Sequence, residues 1–265
     1  MDFSAKGGDI ELYQPDFDLD QTLDCGQAFR WTKTSSDGYT GFFLDRQLFI
    51  SGGNGRFLLH NVTEEEFLTV WADYFDLSTD YGELKRIFSE DETLSKACAF
   101  AGGIRLLRQD AWEALCSFII SQNNNIPRIK GIISRLCDEM NGFPSAAKLS
   151  GYTADELSFL RAGFRAKYIE NAAALVAGGK TDLGYLRTAP IDEARTALMQ
   201  IKGVGPKVAE CALLYGMYRT EAFPIDVWIR RVLEQYYPDG FPEFASKWAG
   251  IAQQYLFHYI RCGVS

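Results

Sequence analysis

The sequence predicts an α+β chain: a small twisted antiparallel sheet with one helix in residues 1–100, then an all-helical part in residues 101–265. Three observations carry that expectation. Short aromatic-rich runs alternate with turn residues between Cys25 and Asn61. Beyond Ile104 the apolar spacing changes from alternating to helical. The charge divides near the same place: residues 1–92 hold 19 acids and 7 bases, a net of −12, whereas residues 93–265 hold 16 acids and 20 bases, a net of +4.

Taken in order, strands are expected over 27–32, 39–44, 48–51 and 56–61, with Asp45-Arg46-Gln47 and Gly52-Gly53-Asn54-Gly55 turning the chain between them. Thr63 and Glu66 make a capping-box pattern ahead of Phe67, Val70, Trp71 and Tyr74, so a helix should follow Thr63. Trp112, Leu115, Cys116, Ile119 and Ile120 share one helical face, and Ile126, Ile129, Ile132, Ile133 and Leu136 share another. Further helices are expected over 155–161, 166–177, 191–201, 206–218, 227–236 and 243–260.

At 265 residues the chain is long enough to bury a substantial core, and 47% hydrophobic with 23% charged residues is ordinary globular composition. Apolar runs such as Phe118-Ile119-Ile120 are too short to cross a membrane. The acidic start is neither a secretory signal nor a transit peptide. Six scattered cysteines, Cys25, Cys98, Cys116, Cys137, Cys211 and Cys262, suggest reduced thiols in an intracellular protein rather than a disulfide frame or thiolate cluster. The total charge of −8 argues against nucleic acid as a partner, but that total hides a positive helical part.

The most informative stretch is Leu198–Cys211, where Ile201-Lys202-Gly203-Val204-Gly205-Pro206-Lys207 separates two apolar stripes. Gly203, Val204 and Gly205 break the first helix, and Pro206 suits the opening of the second because its fixed φ and missing N–H are no handicap there. Backbone N–H groups converging at such a turn hold a phosphate without any basic side chain. Lys207 then sits in the first turn, where the positive end of the dipole disfavours a cation. Such a placement favours a neutral amine able to attack carbon; a surface lysine with its stem in water is the plainer alternative. Nineteen residues on, Phe223-Pro224-Ile225-Asp226 brings an aspartate that caps the next helix.

A helix–hairpin–helix with a first-turn lysine and a downstream Pro-x-Asp resembles the helix-hairpin-helix (HhH-GPD) family of DNA glycosylases. Only Cys262 lies beyond Cys211, so the four-cysteine iron–sulphur cluster of some members is excluded. Cys25-Gly26-Gln27-Ala28-Phe29-Arg30-Trp31, the segment from Ser117 to Ile129, Ala162-Gly163-Phe164-Arg165-Ala166-Lys167-Tyr168, and Trp248 to Phe257 are similar to segments of the 8-oxoguanine branch.

That resemblance implies base excision on duplex DNA carrying 8-oxoguanine opposite cytosine, by an intracellular monomer (in cytoplasm and nucleoid, or in a nucleus) with no membrane association. The damaged base must be flipped out of the stack to be reached. Lys207 and Asp226 are then the catalytic pair, and Lys207 adds an abasic-lyase step through a Schiff base. Phe257 and Cys211 would sandwich the flipped base, Gln253 would meet its Watson–Crick edge, and the Gly26 carbonyl would accept from N7–H, which guanine lacks. Tyr215 stands where the family often has a smaller pocket residue. Asn123, Arg128 and Arg165 would occupy the gap and contact the estranged cytosine, and Phe164 would intercalate. Gly203, Val204 and Gly205 would grip phosphate. Trp228 replaces a common histidine there, leaving a ring to stack on sugar or pack in the core. The carbonyls of Met199, Ile201 and Val204 map to a monovalent-cation site; no other cofactor is implied. Pro127 could shift Arg128 and loosen the preference for cytosine. Two other readings stay open: a monofunctional glycosylase for alkylated bases, and a non-catalytic module that uses the hairpin only to bind DNA.

Overall fold

A computed structural model describes residues 1–263. Two compact units emerge. The first gathers Met1–Phe42, Arg46–Arg108 and the chain from Ile225 on; the second comprises Phe43–Asp45 and Gln109–Pro224.

The first unit is built on a six-stranded sheet of order β1-β2-β6-β5-β4-β3. Its strands are β1 (Asp2–Lys6), β2 (Asp9–Tyr13), β3 (Trp31–Ser35), β4 (Gly38–Phe43), β5 (Arg46–Gly53) and β6 (Arg56–His60). The β1–β2, β2–β6, β5–β6 and β3–β4 pairs are antiparallel, the last with a register shift between Lys33 and Ser35. Strands β4, β5 and β6 lie where the aromatic runs place them. Strands β1 and β2 add to the expected set.

The first expected strand is corrected: pairing begins at Trp31, not at residue 27. The reason is the Gln27 side chain, which does what a neighbouring strand would do. Its amide donates to the carbonyls of Thr22 (2.9 Å) and Arg105 (2.8 Å), and its oxygen accepts from the N–H of Leu107 (3.0 Å). A buried carboxamide so occupied fixes an irregular loop without a ladder.

Thr63 caps the following helix through Oγ1, which accepts from the N–H of Glu66 (3.1 Å). The Glu66 carboxylate accepts from Trp71 Nε1 (3.1 Å), so its reach is forward along the helix. Residues 64–74 include a π turn at Phe67–Trp71, which turns Phe67 and Trp71 into the core. There Trp31 lies 6.5 Å from Trp71 and 5.9 Å from Phe75, and its Nε1 donates to the Tyr74 hydroxyl (2.7 Å). Helices Tyr81–Phe88, Glu92–Phe100, Val227–Tyr236 and Ala249–Cys262 complete the unit. Ring contact between Phe100 and Tyr259 (5.7 Å) seats the last of these on Glu92–Phe100.

The second unit is helical: Ala111–Ser121, Ile126–Met140, Arg165–Ala177, Ile191–Met199 and Pro206–Cys211 are its main helices. Nine of the eleven residues of Ala111–Ser121 are buried, so the others pack around it. Two expectations are adjusted here. Residues 155–161 hold only a short 3-10 turn, Glu156–Leu160, and the helix opened by Pro206 passes into a π turn at Ala212–Gly216. In the first unit, the expected 243–260 helix likewise begins as a 3-10 turn, Glu243–Trp248. No helix among the described residues is long and apolar enough to cross a membrane.

Candidate active site

The hairpin forms as its glycines require. Gly203 has φ +82°, in the left-handed region that side chains avoid, and a Cβ there would meet the Tyr168 ring at 2.3 Å. Gly205 differs. Its backbone is extended (φ −95°), a Cβ would meet nothing within 4 Å, and it stands at the N-cap with no side chain to cap the helix. Gly203 is therefore explained by packing, while Gly205 leaves open space before the uncapped N–H groups of Pro206–Cys211. Val204 is buried, and its N–H donates to the Ile201 carbonyl (2.9 Å). The carbonyls of Met199 and Val204 receive no hydrogen bond among the described residues.

Lys207 occupies the first turn of that helix, half-buried, with Nζ 5.5 Å from the centre of the Phe118 ring. Phe118 stacks on Tyr215 at 4.9 Å and 19°. The π turn at Ala212–Gly216 carries Tyr215, and such turns recur at functional positions. An aromatic face attracts a lysine ammonium and gives its long stem a preferred direction. The sequence gives Phe118 no role beyond its place in a short apolar run. Cys211 and Tyr215, one turn apart, are both buried in this unit.

Asn123, Arg128, Phe164 and Arg165 come together in the second unit. Asn123 is exposed with φ +47° just after helix Ala111–Ser121. The Arg165 guanidinium donates from Nε to the Gln122 carbonyl (2.8 Å), from one terminal nitrogen to the carbonyls of Gln122 and Asn123 (2.9 Å to the latter), and from the other to Ala162 (3.0 Å). Burial, with Arg128 nearby, lowers the pKa of Arg165 from its ordinary value. Phe164 is 49% exposed and lies 4.5 Å from the Arg165 guanidinium and 5.6 Å from Tyr168. Asn125 caps Ile126–Met140 by accepting from the N–H of Arg128 (3.0 Å), and Asn124 donates to the Ile120 carbonyl (3.1 Å). Pro127 fits the first turn of that helix, where it displaces no hydrogen bond.

Five expected positions fall in the first unit. Gly26 has φ +88° and is held between Cys25, whose thiol donates to the Thr22 carbonyl (3.3 Å), and the locked Gln27. Gln253 is 4% exposed, and its Oε1 is buried with no hydrogen-bond partner. Phe257 is half-exposed, with Arg261 5.7 Å from its ring. Asp226 caps Val227–Tyr236: its Oδ1 accepts from the N–H of Trp228 (2.9 Å) and of Ile229 (2.8 Å). The half-exposed Trp228 ring carries Arg231 at 5.1 Å. Gln27 and Tyr168, quoted in the sequence segments for their similarity alone, are the residues that fix Gly26 and Gly203. Among the described residues, no group of three or more His, Cys, Asp or Glu side chains is placed to hold a metal.

Comparison with known proteins agrees along nearly the whole chain. Residues 9–115 match the family model for the N-terminal domain of 8-oxoguanine DNA glycosylase, and residues 116–240 match that for HhH-GPD superfamily base excision DNA repair proteins. The N-glycosylase/DNA lyase of Saccharomyces cerevisiae is 30% identical over 274 residues, covering 88% of this chain and 72% of its own length. MBOgg1, solved with a low-affinity DNA ligand, superposes with a TM-score of 0.92 at 39% identity over 98% of both chains. The Clostridium acetobutylicum 8-oxoguanine glycosylase/lyase, solved with dsDNA containing cytosine opposite 8-oxoG, gives 0.89 at 35% identity over 98% of this chain and 99% of its own. A lysine-bearing hairpin and two family matches in register leave one assignment: this chain belongs to the 8-oxoguanine DNA glycosylases of the HhH-GPD superfamily.

Proposed function

We propose that the chain, acting as a monomer, excises 8-oxoguanine from duplex DNA and then nicks the abasic strand, with Lys207 as nucleophile and Asp226 as electrostatic partner. The observation that carries this reading is the placement of Lys207: a first-turn lysine directly after a glycine hairpin, its amine set over an aromatic face.

As the glycosidic bond breaks, the base leaves with the bonding electrons and positive charge grows on the sugar. The Asp226 carboxylate stabilises that charge. Both capping bonds fall on its Oδ1, so Oδ2 is left for this work. Lys207 Nζ forms a bond to C1′ as the base departs, the amine loses a proton, and ring opening yields a Schiff base. Loss of a proton from C2′ then expels the 3′ phosphate by β-elimination.

Recognition roles are assigned within each unit by itself. In the first, Gln253 Oε1 is a buried acceptor lacking a donor, which a base edge would satisfy, and the Gly26 carbonyl accepts N7–H of the oxidised base. Guanine, lacking that hydrogen, would leave the carbonyl unpaired, which discriminates more sharply than shape. Phe257 offers a ring face. In the second, Cys211 and Tyr215 present a thiol and a ring, Asn123 and Arg128 face the cytosine left behind, and Phe164 fills the vacated stack. Arg165 keeps one N–H beyond those given to carbonyls, which limits its own reading of the base. The Val204 N–H is taken by the Ile201 carbonyl, so the phosphate falls to the N–H groups of Gly203 and Gly205, with Trp228 stacking beside the backbone. The Met199, Ile201 and Val204 carbonyls fit a monovalent cation, since the first and last lack donors; the ion would supply charge that draws the phosphate in.

Borohydride trapping on duplexes with 8-oxoguanine opposite each of the four bases tests this. A covalent adduct forms with the unaltered protein, strongest opposite cytosine, and disappears in Lys207→Gln. No adduct with the unaltered protein would end the bifunctional reading.

A further inference from the structure

The second hairpin helix carries a carboxylate to which excision, as described above, gives no role. Glu210 stands three residues after Lys207 on Pro206–Cys211, a neighbouring position on the helix surface. Its side chain is 13% exposed. Oε1 accepts from Arg195 Nε (2.5 Å), and Oε2 accepts from the backbone N–H of Phe223 (2.7 Å). Arg195 belongs to Ile191–Met199, the first hairpin helix, and one of its terminal nitrogens donates to Asp192 (2.8 Å). One carboxylate therefore joins both hairpin helices to a segment thirteen residues downstream.

That segment leads to Asp226. Phe223 is followed by Pro224, Ile225 and Asp226. Pro224 is buried; its ring fixes its own φ and confines Phe223 to extended backbone. Upstream, the Arg219 guanidinium donates to the carbonyls of Leu186 (3.1 Å) and Ala189 (2.7 Å), and the Ala222 N–H donates to the Arg219 carbonyl (3.0 Å). From the anchored N–H of Phe223 to the cap at Asp226 the chain has few free dihedrals, so a shift at Phe223 is passed on toward Asp226. An ordinary ion pair would account for Arg195 alone. It does not account for the second oxygen, which is given to a backbone N–H in an irregular segment and which an amide could not supply while also serving Arg195.

We propose that Glu210 is a positioning residue for glycosidic bond cleavage: its carboxylate, oriented by Arg195, anchors the Phe223–Asp226 segment to the helix that carries Lys207, so that nucleophile and electrostatic partner are set from one point. This rests on the excision reading above and deepens it. Glu210 acts through Asp226 and touches neither base nor sugar. Its value is preorganisation, because a carboxylate stabilises a growing sugar cation best when it is already in place.

The test uses Glu210→Ala, Glu210→Gln, Asp226→Asn and the double variant Glu210→Ala/Asp226→Asn. Amide hydrogen exchange of Phe223 in the free protein needs no activity, and in Glu210→Ala it should be roughly tenfold faster. Single-turnover excision of 8-oxoguanine with protein in excess should fall about tenfold in the same variant. Binding to an abasic-analogue duplex should stay within about twofold of the parent, since a misplaced Asp226 affects the reaction more than the grip on DNA. Glu210→Gln should lie between, because its single carbonyl oxygen can serve only one of the two donors. The double variant should excise within about twofold of Asp226→Asn alone, as the group being positioned has already lost its charge. Multiplicative losses in the double variant would overturn the proposal, as would unchanged exchange at Phe223. Faster exchange with parental excision, or excision and binding weakened by the same factor, would reduce Glu210 to a structural tie and overturn it too. If Glu210→Ala does not fold, a Glu210→Gln protein with parental exchange and parental excision is the overturning result. Failure of the unaltered protein to excise 8-oxoguanine would sink the excision reading, whereas parental excision in the Glu210 variants sinks this inference alone.

Discussion

Replacing Gly203 by alanine would put a methyl carbon 2.3 Å from Cδ2 and 2.4 Å from Cε2 of Tyr168, at a backbone φ of +82°. Two penalties combine. A side chain in the left-handed region costs about 1–2 kcal/mol. Forcing a methyl against a packed ring adds about 1–3 kcal/mol, because Tyr168 must leave its rotamer or the hairpin must shift. The lost freedom of the unfolded chain returns about 0.4–1 kcal/mol. The net loss is therefore about 1–5 kcal/mol of stability. Gly205→Ala is the natural control. Its φ of −95° suits alanine and the added carbon meets nothing. The weaker N-cap and the stiffer unfolded chain nearly offset, leaving stability within about 0.5 kcal/mol of the parent. That open space is where a phosphate would approach, so Gly205→Ala should bind abasic-analogue duplex about tenfold more weakly, since the methyl holds the phosphate away from the N–H groups. Denaturant unfolding and salt-titrated DNA binding, measured on both variants, decide the matter. A Gly203→Ala protein as stable as the parent would refute the packing argument, and a Gly205→Ala protein with parental affinity would refute the phosphate site.

Asp226→Asn separates capping from catalysis, because asparagine caps a helix as well as aspartate and retains an oxygen for the N–H groups of Trp228 and Ile229. Its melting should match the parent while single-turnover excision falls by about 100-fold or more; excision near the parental rate would leave Asp226 a cap alone. Burial pushes the Cys25 thiol up from its ordinary 9.0 to about 11, and burial pushes Cys98 to about 12. The folded state thus binds these protons more tightly than the unfolded one, so their contribution is intact below pH 9.0 and is lost as pH rises through about 11. Stability should decline over that window, and alkylation at about pH 8 should label the exposed Cys262 well before Cys25. A stability plateau up to pH 11, or early labelling of Cys25, would contradict this.

What the sequence revealed, and what it concealed, follows from which interactions are local. The hairpin at Gly203–Gly205, the caps at Thr63 and Asp226, and strands β4 to β6 depend on neighbours a few residues away, and all were legible. Strand β1 carries little apolar alternation, and it exists because Asp2–Lys6 finds a partner in β2. The Gln27 loop deceived for the opposite reason: Gln27-Ala28-Phe29-Arg30 has the make-up of a strand, but the hydrogen bonds that define it come from Thr22, Arg105 and Leu107. The candidate site shows the same division. Lys207 announces itself by breaking a dipole rule, whereas the aromatic seat provided by Phe118 joins positions 89 residues apart and carries no local sign. Burial of Arg165 is hidden for the same reason, since an arginine at a helix start reads as solvated until the carbonyls of Gln122 and Asn123 are placed over it.

The sheet of the first unit is open, and its two margins are β1 and β3. Each is only five residues long. The outer strand β1 ends on charges at both Asp2 and Lys6, while β3 carries Lys33 and loses register immediately after it. Unpaired strand margins are where chains join edge to edge, and short length, charge and a bulge are the features that frustrate such joining. The protein therefore has a built-in defence against strand-mediated aggregation. That defence would matter most at high concentration or during refolding, when the margins are exposed and the helical unit is still forming.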